Sequence, residues 1–412
     1  MKVTIARLGH RGDGIAVTAD GPVLVPLALP GEEVEGEVAA GRMAAPKILT
    51  PSPDRVRAPC PHFRACGGCL LQHASDPFVA AWKQDVVVAA LAAQGLEAPF
   101  RPIRTSPPQS RRRAALAGRR TKKGVIVGLH GRASDTVVPI PDCHLLHPDL
   151  MTLLPVLERI VMLGASRKGE LTLVVTRSDF GADVAVRGGK PLDAPLRADL
   201  AALAEGTGLA RLAWDDEVIA LRQPPAQGMG KALVVPPPGA FLQATAEGEA
   251  ALLAAVRDAV GEARRIADLF AGCGTFALPL AERAEIHAVE GGAAMTGALE
   301  QGWRQAQGLR RVTTEARDLF RRPLSGAELT GFDAVVIDPP RAGAEAQMAA
   351  LAQGDVPVIA AVSCNPVTFA RDARLLIDGG YRLEWVQVVD QFRWSPHVEL
   401  AARFAKGHIA RN

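Results

Sequence analysis

The amino-acid sequence predicts an α/β fold in its C-terminal region, preceded by a small β-barrel and a central α+β segment. Residues 240–412 alternate strand-like apolar runs with helical stretches, which is the pattern of βαβ units. Residues 1–49 contain short strand-like runs between glycine turns, which is typical of a small barrel. The run Pro236-Pro237-Pro238-Gly239 marks a boundary before the C-terminal region. We therefore expect four parts, at residues 1–50, 51–95, 96–238 and 239–412.

The composition is that of a globular protein, with 412 residues of which 48% are hydrophobic and 22% are charged. The N-terminus lacks the apolar core of a signal peptide, and no later apolar run approaches the length of a membrane span. We therefore expect a cytoplasmic monomer without a membrane partner. In a reducing compartment, six cysteines indicate metal binding or catalysis rather than structural disulfides.

Positive charge is concentrated in one block, although the net charge of the chain is only +3. Residues 101–132 contain ten Lys or Arg and no Asp or Glu. Such a block is either a solvated face or a surface that binds phosphate groups. Its position inside folded sequence favours nucleic acid. The residues expected to contact RNA are Arg111, Arg112, Arg113, Arg119, Arg120, Lys122 and Lys123.

The N-terminal segment has its strand-like runs at residues 4–8, 15–17, 23–26 and 33–38. The turn Gly12-Asp13-Gly14-Ile15-Ala16 and the step Leu29-Pro30-Gly31-Glu32 resemble those of the TRAM domain, an OB-like RNA-binding barrel. However, the segment has five Lys or Arg against six Asp or Glu, and no last strand is evident after Val38. RNA binding by this barrel is therefore left open at this point.

Three of the six cysteines lie close together, at Cys60, Cys66 and Cys69. Gly67-Gly68 allows the backbone to wrap tightly between two thiolates. Apolar residues follow with helical spacing at 82–96. We therefore expect a metal-binding cysteine segment that one helix links to the central region.

Two glycines mark a ligand-binding turn in the C-terminal region. An apolar strand leads into Gly272 and Gly274, which permit close approach of a ligand to the backbone. Asp268 precedes these glycines, and the next strand ends at Glu290, an acid suited to bind ribose hydroxyls. Asp318 follows the third strand. The pattern therefore predicts a nucleoside-containing ligand.

The stretch that begins at Asp268, Asp-Leu-Phe-Ala-Gly-Cys-Gly-Thr-Phe, resembles motif I of class I S-adenosylmethionine methyltransferases. A nicotinamide-binding fingerprint would carry a third glycine, and here that position is Ala277. Because alanine is tolerated there, the difference only favours a methyl donor over a dinucleotide. Cys273, within the turn, is expected to be a packing residue.

Two more polar residues lie at strand ends in the same region. The strand at 332–337 ends before Asp338-Pro339-Pro340, and the strand at 358–361 ends before Ser363-Cys364-Asn365-Pro366. Asp338 is either a helix cap or, as is frequent in base-modifying methyltransferases, a residue that faces the substrate base. Cys364 is either a small buried residue or a nucleophile, placed where open α/β sheets bind ligands.

Three motifs occur in this order along the chain: Asp338-Pro339-Pro340-Arg341-Ala342-Gly343, Ser363-Cys364-Asn365-Pro366 and His397-Val398-Glu399. Together with the motif I stretch and the clustered cysteines, they resemble the RNA uracil-C5 methyltransferase family. Within it, the chain is most similar to the branch that carries a TRAM domain and a 4Fe-4S cluster and methylates 23S ribosomal RNA. The resemblance implies a TRAM-like OB barrel at 1–50, an iron–sulfur segment and linking helix at 51–95, a central α+β RNA-binding domain at 96–238 and a class I, Rossmann-like methyltransferase domain at 239–412.

The resemblance also implies roles for individual residues. Cys364 would add to C6 of uracil as the nucleophile, Glu399 would remove the C5 proton, and Asp338 would bind the uracil edge or support the enolate. The residues implied for binding S-adenosylmethionine are Gln243, Asp268, Phe270, Gly272, Gly274, Glu290, Asp318 and Asp338. The implied cluster ligands are Cys60, Cys66, Cys69 and Cys143. Phe392 and Trp394 would either stack on a flipped base or pack in the core.

Several alternatives stay open on the sequence. Four thiolates suit a 4Fe-4S cluster or zinc, and the lack of histidine at ligand spacing favours iron–sulfur in a structural role. A tRNA uridine is the alternative substrate, because the same motifs could serve it. A non-catalytic RNA-binding or ribosome assembly factor is the alternative of another class, although the implied nucleophile, base and donor site are all intact. An iron–sulfur redox enzyme would need a nicotinamide or flavin motif, which the chain lacks.

Overall fold

The computed structural model describes residues 1–407, and its N-terminal segment forms a small barrel. The strands are β1 (Lys2–Thr4), β2 (Arg7–Leu8), β3 (Gly14–Thr18), β4 (Gly21–Val25), β5 (Glu33–Glu35) and β6 (Lys47–Thr50). They pair antiparallel in two sheets, in the orders β1-β5-β6 and β2-β3-β4. Ile5, Val25 and Met43 are fully buried in the core. The last strand, β6, was not predicted from the sequence. It lacks an alternating apolar pattern, because only its Ile48 packs against this core.

The cysteine segment is followed by helix α1 (Asp76–Ala92) and strand β7 (Phe100–Thr105). The hydroxyl of Ser75 accepts a hydrogen bond from the N–H of Phe78 at 3.3 Å and so caps α1. A proline in the first turn starts the helix without loss of a needed N–H. Among residues 1–407, no helix is long and apolar enough to cross a bilayer.

The central region folds as a seven-stranded sheet covered by helices. Its elements are β8 (Arg113–Thr121), β9 (Gly124–His130), β10 (Val137–Pro139), α2 (Pro148–Met151), α3 (Leu154–Gly164), β11 (Glu170–Ser178), β12 (Gly181–Arg187), α4 (Ala194–Thr207), β13 (Arg211–Trp214) and β14 (Glu217–Leu221). The order is β10-β9-β8-β11-β12-β13-β14, and only the β12–β13 pair is parallel. Trp214 is buried beside Gly164 and Gly189, where a Cβ would come within 1.9 Å of its ring.

The C-terminal region begins after a two-stranded hairpin, β15 (Gln227–Met229) and β16 (Ala232–Val234). Its elements are α5 (Ala246–Val260), β17 (Arg265–Leu269), α6 (Ala277–Leu280), β18 (Glu285–Glu290), α7 (Ala293–Gln305), β19 (Val312–Ala316), α8 (Gly326–Leu329), β20 (Ala334–Ile337), α9 (Glu345–Gln353), β21 (Val358–Ser363), α10 (Pro366–Asp378), β22 (Tyr381–Asp390) and β23 (Glu399–Lys406). They form an eight-stranded sheet in the order β19-β18-β17-β20-β21-β23-β22-β7.

The strand order creates a crevice at the middle of this sheet. Strands β17 to β21 are parallel, and β23 runs antiparallel between β21 and β22. From β17 the chain first builds outward to β18 and β19, and then returns to place β20 on the other side. The carboxyl ends of β17 and β20 therefore border the kind of crevice in which open α/β sheets bind ligands.

Two elements that the sequence placed before the C-terminal domain belong to it instead. Strand β7, predicted within 96–238, pairs in parallel with β22 at the edge of the eight-stranded sheet. Helix α1, predicted within 51–95, packs against α10 and β22. Lys83 of α1 is fully buried and forms an ion pair with Asp390 at 2.5 Å. The predicted boundaries differ from the structure because these partners are about 300 residues away, where no local pattern reveals them.

Candidate active site

Three neighbouring strands bring three predicted residues together. Asp338 follows the end of β20, and Cys364 follows the end of β21, which is its parallel neighbour. Glu399 begins β23, and because β23 pairs antiparallel with β21, its first residues lie beside the end of β21. The side chain of Asn365 accepts from the N–H of Val367 at 3.1 Å and caps α10 directly after Cys364. The sheet thus places two carboxyls and one thiol at the same edge.

Burial dominates the electrostatics of these three groups. Glu399 is 2% exposed, and burial raises its pKa, as does the charge of Asp338. Burial also raises the pKa of Asp338. Burial raises the pKa of the Cys364 thiol to about 11, aided by the charges of Glu399 and Asp338 and opposed by Arg341. At neutral pH the Cys364 thiol therefore carries its proton. The carboxyls of Asp338 and Glu399 both favour their protonated forms and repel each other when both are charged.

Two glutamines connect the carboxyls. Nε2 of Gln243 donates to Oδ2 of Asp338 at 3.4 Å. Nε2 of Gln391 donates to Oε1 of Gln243 at 2.5 Å and also to Oε2 of Glu399. Gln243 was predicted as a donor-site residue, but Gln391 was not. Its only sequence signal is a polar side chain directly after Asp390, the last residue of β22.

The turn after β17 contains the predicted methyl-donor residues. Phe270, Gly272 and Gly274 all have positive φ angles, of 60°, 57° and 100°. Oε2 of Glu290 accepts from the N–H of Gly272 at 3.0 Å, so this carboxylate holds the turn. The positive φ angles and this hydrogen bond therefore fix a tight turn at the end of β17, beside the crevice.

Asp268, near the end of β17, is a fully buried acid beside this crevice. Its side chain is fully buried, and within residues 1–407 its carboxylate makes no hydrogen bond of good geometry. Burial raises the pKa of Asp268 well above its usual value, and the charges of Asp338 and Glu290 add to the effect. A buried carboxyl without a partner is costly, so a cationic or hydrogen-bond-donating group of a ligand would fit here.

Two other predicted donor-site residues, Asp318 and Phe270, contact the same residue, Phe320. Oδ1 of Asp318 accepts from the N–H of Phe320 at 2.9 Å, so this acid closes a turn after β19. The Phe270 and Phe320 rings contact each other with centroids 5.3 Å apart. The exposed Phe320 was not among the predicted residues, and it extends the apolar wall of the crevice.

The four predicted cluster cysteines meet around one small enclosed space, which we call the cysteine cavity. It is lined by Cys60, Cys66, Cys69 and Cys143, with Phe63, Ile140 and Leu145 among its apolar neighbours. All four thiols are free of disulfides. Burial raises the pKa values of Cys66, Cys69 and Cys143, and charges on the other thiols raise them further. Within residues 1–407, no group of three or more His, Cys, Asp or Glu has the spacing to hold a single metal ion.

The basic block is not one RNA-facing surface. Arg112 forms an ion pair with Glu249 at 2.5 Å, and Arg113 donates to the carbonyls of Gly239 and Ala240 at 3.0 Å. Arg119 pairs with Glu170 at 2.6 Å. Arg112 and Arg113 are engaged because the chain entering β8 lies beside residues 239–249, and Arg119 is engaged because β11 is the neighbouring strand of β8. The sequence could not reveal these contacts.

The other four predicted RNA-contacting residues lie in two places, one residue at the cavity that contains Cys364 and three at or near the β8–β9 hairpin. Arg111 lines the cavity that contains Cys364, and burial lowers its pKa. Arg120 is half-buried, whereas Lys122 and Lys123 are exposed at the hairpin between β8 and β9. Of the seven predicted RNA contacts, therefore, Arg111 alone borders the site that contains Cys364.

A cavity of about 1490 Å³, which we call the catalytic cleft, runs from Cys364 and Glu399 to the N-terminal barrel. Arg7 and Arg11 of the barrel line its far end. Phe392 lines the cleft edge-on to His397, whereas Trp394 is buried and its carbonyl accepts from Leu70 and Leu71. The residues lining the cleft thus come from three parts of the chain, with Phe392 available to a ligand and Trp394 part of the core.

Comparison with known proteins identifies relatives over the whole chain. The model of the tRNA (uracil-5-)-methyltransferase family matches residues 303–406. An uncharacterized RNA methyltransferase of Brucella suis is 44% identical over 98% of this chain and 98% of its own length. The 23S rRNA (uracil(1939)-C(5))-methyltransferase RlmD of Halomonas elongata is 34% identical over 97% of this chain and 88% of its own length.

A solved structure confirms the fold. Pyrococcus abyssi tRNA (uracil-54, C5)-methyltransferase, in complex with S-adenosyl-L-homocysteine, superposes with a TM-score of 0.76. It is 23% identical, and the match covers 98% of this chain and 99% of that chain. The predicted α/β methyltransferase domain with a β-rich N-terminal region is therefore correct. By its relatives and its fold, the chain belongs to the RNA uracil-C5 methyltransferase family and is an S-adenosylmethionine-dependent RNA methyltransferase.

Proposed function

We propose that this protein methylates C5 of a uridine in 23S ribosomal RNA, with Cys364 as nucleophile and Glu399 as general base. The convergence of Cys364, Asp338 and Glu399 at one edge of the sheet, beside the unpartnered carboxyl of Asp268, is the observation that carries this proposal. A thiol, a buried base and a donor site are the three parts that C5 methylation of uracil needs.

The proposed chemistry follows from the weak nucleophilicity of C5. The thiolate of Cys364 adds to C6, and the displaced electron pair makes C5 enolate-like. C5 would then form a bond to the methyl group of S-adenosylmethionine. The bond from that methyl group to sulfur breaks, its electron pair stays on sulfur, and S-adenosylhomocysteine would leave. Glu399 removes the proton from C5, its electron pair restores the C5–C6 double bond, and the C6–S bond breaks to release the thiolate. Asp338, whose pKa is raised by burial, holds a proton that it can donate to a uracil oxygen.

The proposed donor site uses the turn after β17. Asp268 would accept from the amino group of the donor, because it is buried and its carboxylate has only a weak contact with the N–H of Ala277 within residues 1–407. Glu290 would accept from ribose hydroxyls with the lone pairs that Gly272 and Gly292 leave available. Gln243 would contact the donor beside Asp338. The Phe270 and Phe320 rings would flank the adenine.

The proposed RNA site is the catalytic cleft. Its volume and its Arg7, Arg11 and Arg111 lining suit a phosphate backbone that leads one flipped base to Cys364. Phe392 would stack on that base or its neighbour. The barrel would then contribute to RNA binding as a TRAM domain, through two arginines near one loop rather than through net charge. The name of the Halomonas relative supports 23S rRNA as the target.

The cysteine cavity would hold a 4Fe-4S cluster in a structural role. Three of the four thiols, those of Cys66, Cys69 and Cys143, are buried with raised pKa values and are costly as thiolates unless a metal neutralises them. A cluster separates its thiolates farther than one ion does, so the lack of single-ion spacing within residues 1–407 is compatible with it. Anaerobic purification should give a brown protein that contains iron and sulfide. Stoichiometric zinc without iron would contradict the assignment.

The decisive experiment is to map 5-methyluridine in ribosomal and transfer RNA from cells with and without this protein. Loss of one 5-methyluridine from 23S rRNA, restored by the wild-type gene but not by the Cys364→Ala gene, is the expected result. Loss from tRNA alone would overturn the rRNA assignment while keeping the chemistry. Unchanged 5-methyluridine in both RNAs would overturn the proposed function.

A further inference from the structure

Gln391 lies directly after β22, next to the proposed base, and its side chain is 1% exposed. Space for it exists because Gly248, at the start of α5, has no side chain: a Cβ there would lie 2.5 Å from Cβ of Gln391. On the other side, the preceding residue Asp390 is anchored by its ion pair with the buried Lys83. Packing therefore determines where the Gln391 amide lies.

One backbone contact determines how this amide is oriented. The N–H of Ala244 can only donate, and it lies 2.7 Å from Oε1 of Gln391. The two hydrogens on Nε2 of Gln391 must therefore go to other acceptors, which are Oε1 of Gln243 and Oε2 of Glu399. Because Gln243 accepts through Oε1, its own Nε2 faces Asp338. A single N–H thus sets the direction of every hydrogen bond from Glu399 to Asp338.

We infer that Gln391 is a positioning residue, which holds Glu399 toward C5 of the bound uracil and holds Gln243 toward Asp338 and the methyl donor. The inference rests on the proposed function, because it assigns Gln391 a part in the proton abstraction proposed for Glu399. Among residues 1–407, Gln391 makes the only side-chain hydrogen bond to the Glu399 carboxylate. Without that bond, the carboxylate would have no donor to select one rotamer, and its productive orientation would be less populated.

The step affected is the last one of the reaction. Glu399 takes the proton from C5, the C–H electron pair forms the C5–C6 double bond, and the C6–S bond to Cys364 breaks. Loss of a hydrogen bond to a charged group should slow this step by about 10- to 100-fold. Addition of Cys364 and transfer of the methyl group precede it and should be less affected. A covalent enzyme–RNA adduct that already carries the methyl group should therefore accumulate.

The test is Gln391→Met, which keeps the side-chain length and removes both donors and the acceptor. With a 23S rRNA fragment and S-adenosylmethionine, turnover should fall by about 10- to 100-fold while a methylated covalent adduct appears on denaturing gels. The matched control is Gln387→Met in β22, four residues before Gln391, where the amide donates only to the carbonyl of Pro102 at 3.0 Å, away from the site. It should behave like the wild type in both readouts.

A second variant separates positioning from packing. Gln391→Glu has nearly the same shape, but its new carboxyl donates only when it is protonated, and then to one acceptor. The charged and titratable groups around Glu399 and the two glutamines are Asp338, Cys364, Arg341, His397, the Lys83–Asp390 pair and the Arg112–Glu249 pair. None of them changes in this variant. Its activity relative to the wild type should therefore rise as the pH falls, whereas a packing defect would give a ratio independent of pH.

Three results would overturn the inference. One is wild-type turnover by Gln391→Met. Another is loss of turnover together with loss of the adduct, because that pattern would describe a disrupted site rather than a slowed final step. The third is a pH-independent activity ratio for Gln391→Glu. These results differ from a failure of the proposed function, in which the wild-type protein itself would form no 5-methyluridine.

Discussion

The catalytic cleft and the cysteine cavity both hold ionisable side chains away from water, but they are built differently. At the cleft, Asp338, Cys364 and Glu399 come from neighbouring strands of one sheet, and Cys364 and Glu399 line a large space. In the cavity, Cys143 of the central region meets three cysteines of a loop, and apolar side chains close the space. An open site with unpaired acids suits a reaction, whereas a closed site that joins distant segments suits a structural group.

The largest effect is expected at the thiol of the open site. Cys364→Ala should lower methyl transfer to RNA by about 10⁴-fold or more, because the whole reaction passes through addition of the thiolate to C6. Transfer of a radioactive methyl group into a 23S rRNA fragment measures it. Binding of S-adenosylhomocysteine should be unchanged, since Cys364 is not part of the donor turn. Methylation that persisted in this variant would refute the nucleophile assignment.

Glu399→Gln should lower turnover by about 10²- to 10⁴-fold. Unlike Cys364→Ala, it should also accumulate a covalent adduct with the RNA. Addition to C6 and methyl transfer should still occur, but the C5 proton would stay in place and the RNA would remain bound to Cys364. Denaturing gels would reveal this methylated adduct, which Cys364→Ala cannot form. If Glu399→Gln turned over without an adduct, another residue would be the base.

Substitutions in the cysteine cavity should change the stability of the protein rather than a step of the reaction. Cys143→Ser should lose iron and lower the melting temperature by several degrees, because the bridge between the cysteine loop and the central region would be broken. Metal analysis and calorimetry measure these effects. Cys273→Ser is the matched control, because Cys273 is buried but lies outside the cysteine cavity. Equal iron content in both variants would refute the cluster assignment.

The rate should depend on pH through the open site alone. Burial raises the pKa of the Cys364 thiol to about 11 and also raises the pKa of Glu399. Both groups react in their deprotonated forms, so the single-turnover rate should rise with pH by up to about tenfold per unit above neutrality, and loss of the proton on Asp338 should make the rise less steep. Quenched-flow measurement, with RNA binding followed over the same range, tests this. A flat profile would show that neither ionisation limits the reaction.

The smallest effects are expected in the basic block, part of which lies between the two sites. Arg112→Met removes the partner of the half-buried Glu249 and should lower the free energy of unfolding by about 2–3 kcal/mol. Lys122→Met, at an exposed hairpin, should change it by less than about 0.5 kcal/mol. Urea denaturation measures both. Equal stabilities would mean that the Arg112–Glu249 pair does not hold the central region to the C-terminal domain.

Local patterns were sufficient to identify the family, the methyltransferase fold and the residues that the structure gathers at the candidate site. Asp338, Cys364 and the glycines after β17 each follow a strand, and parallel strands bring their carboxyl ends to one edge. Such residues can be found from the sequence because strand type and direction already predict their neighbourhood.

Contacts between distant segments were decided only when the chain folded. The addition of β7 to the edge of the methyltransferase sheet, the contact of Arg112 with Glu249 and the orientation of Gln391 by Ala244 all join residues more than 100 positions apart. A side chain carries no local signal of such a partner. Motifs therefore located the candidate site, whereas long-range packing determined which basic residues face the cleft and which amide contacts Glu399.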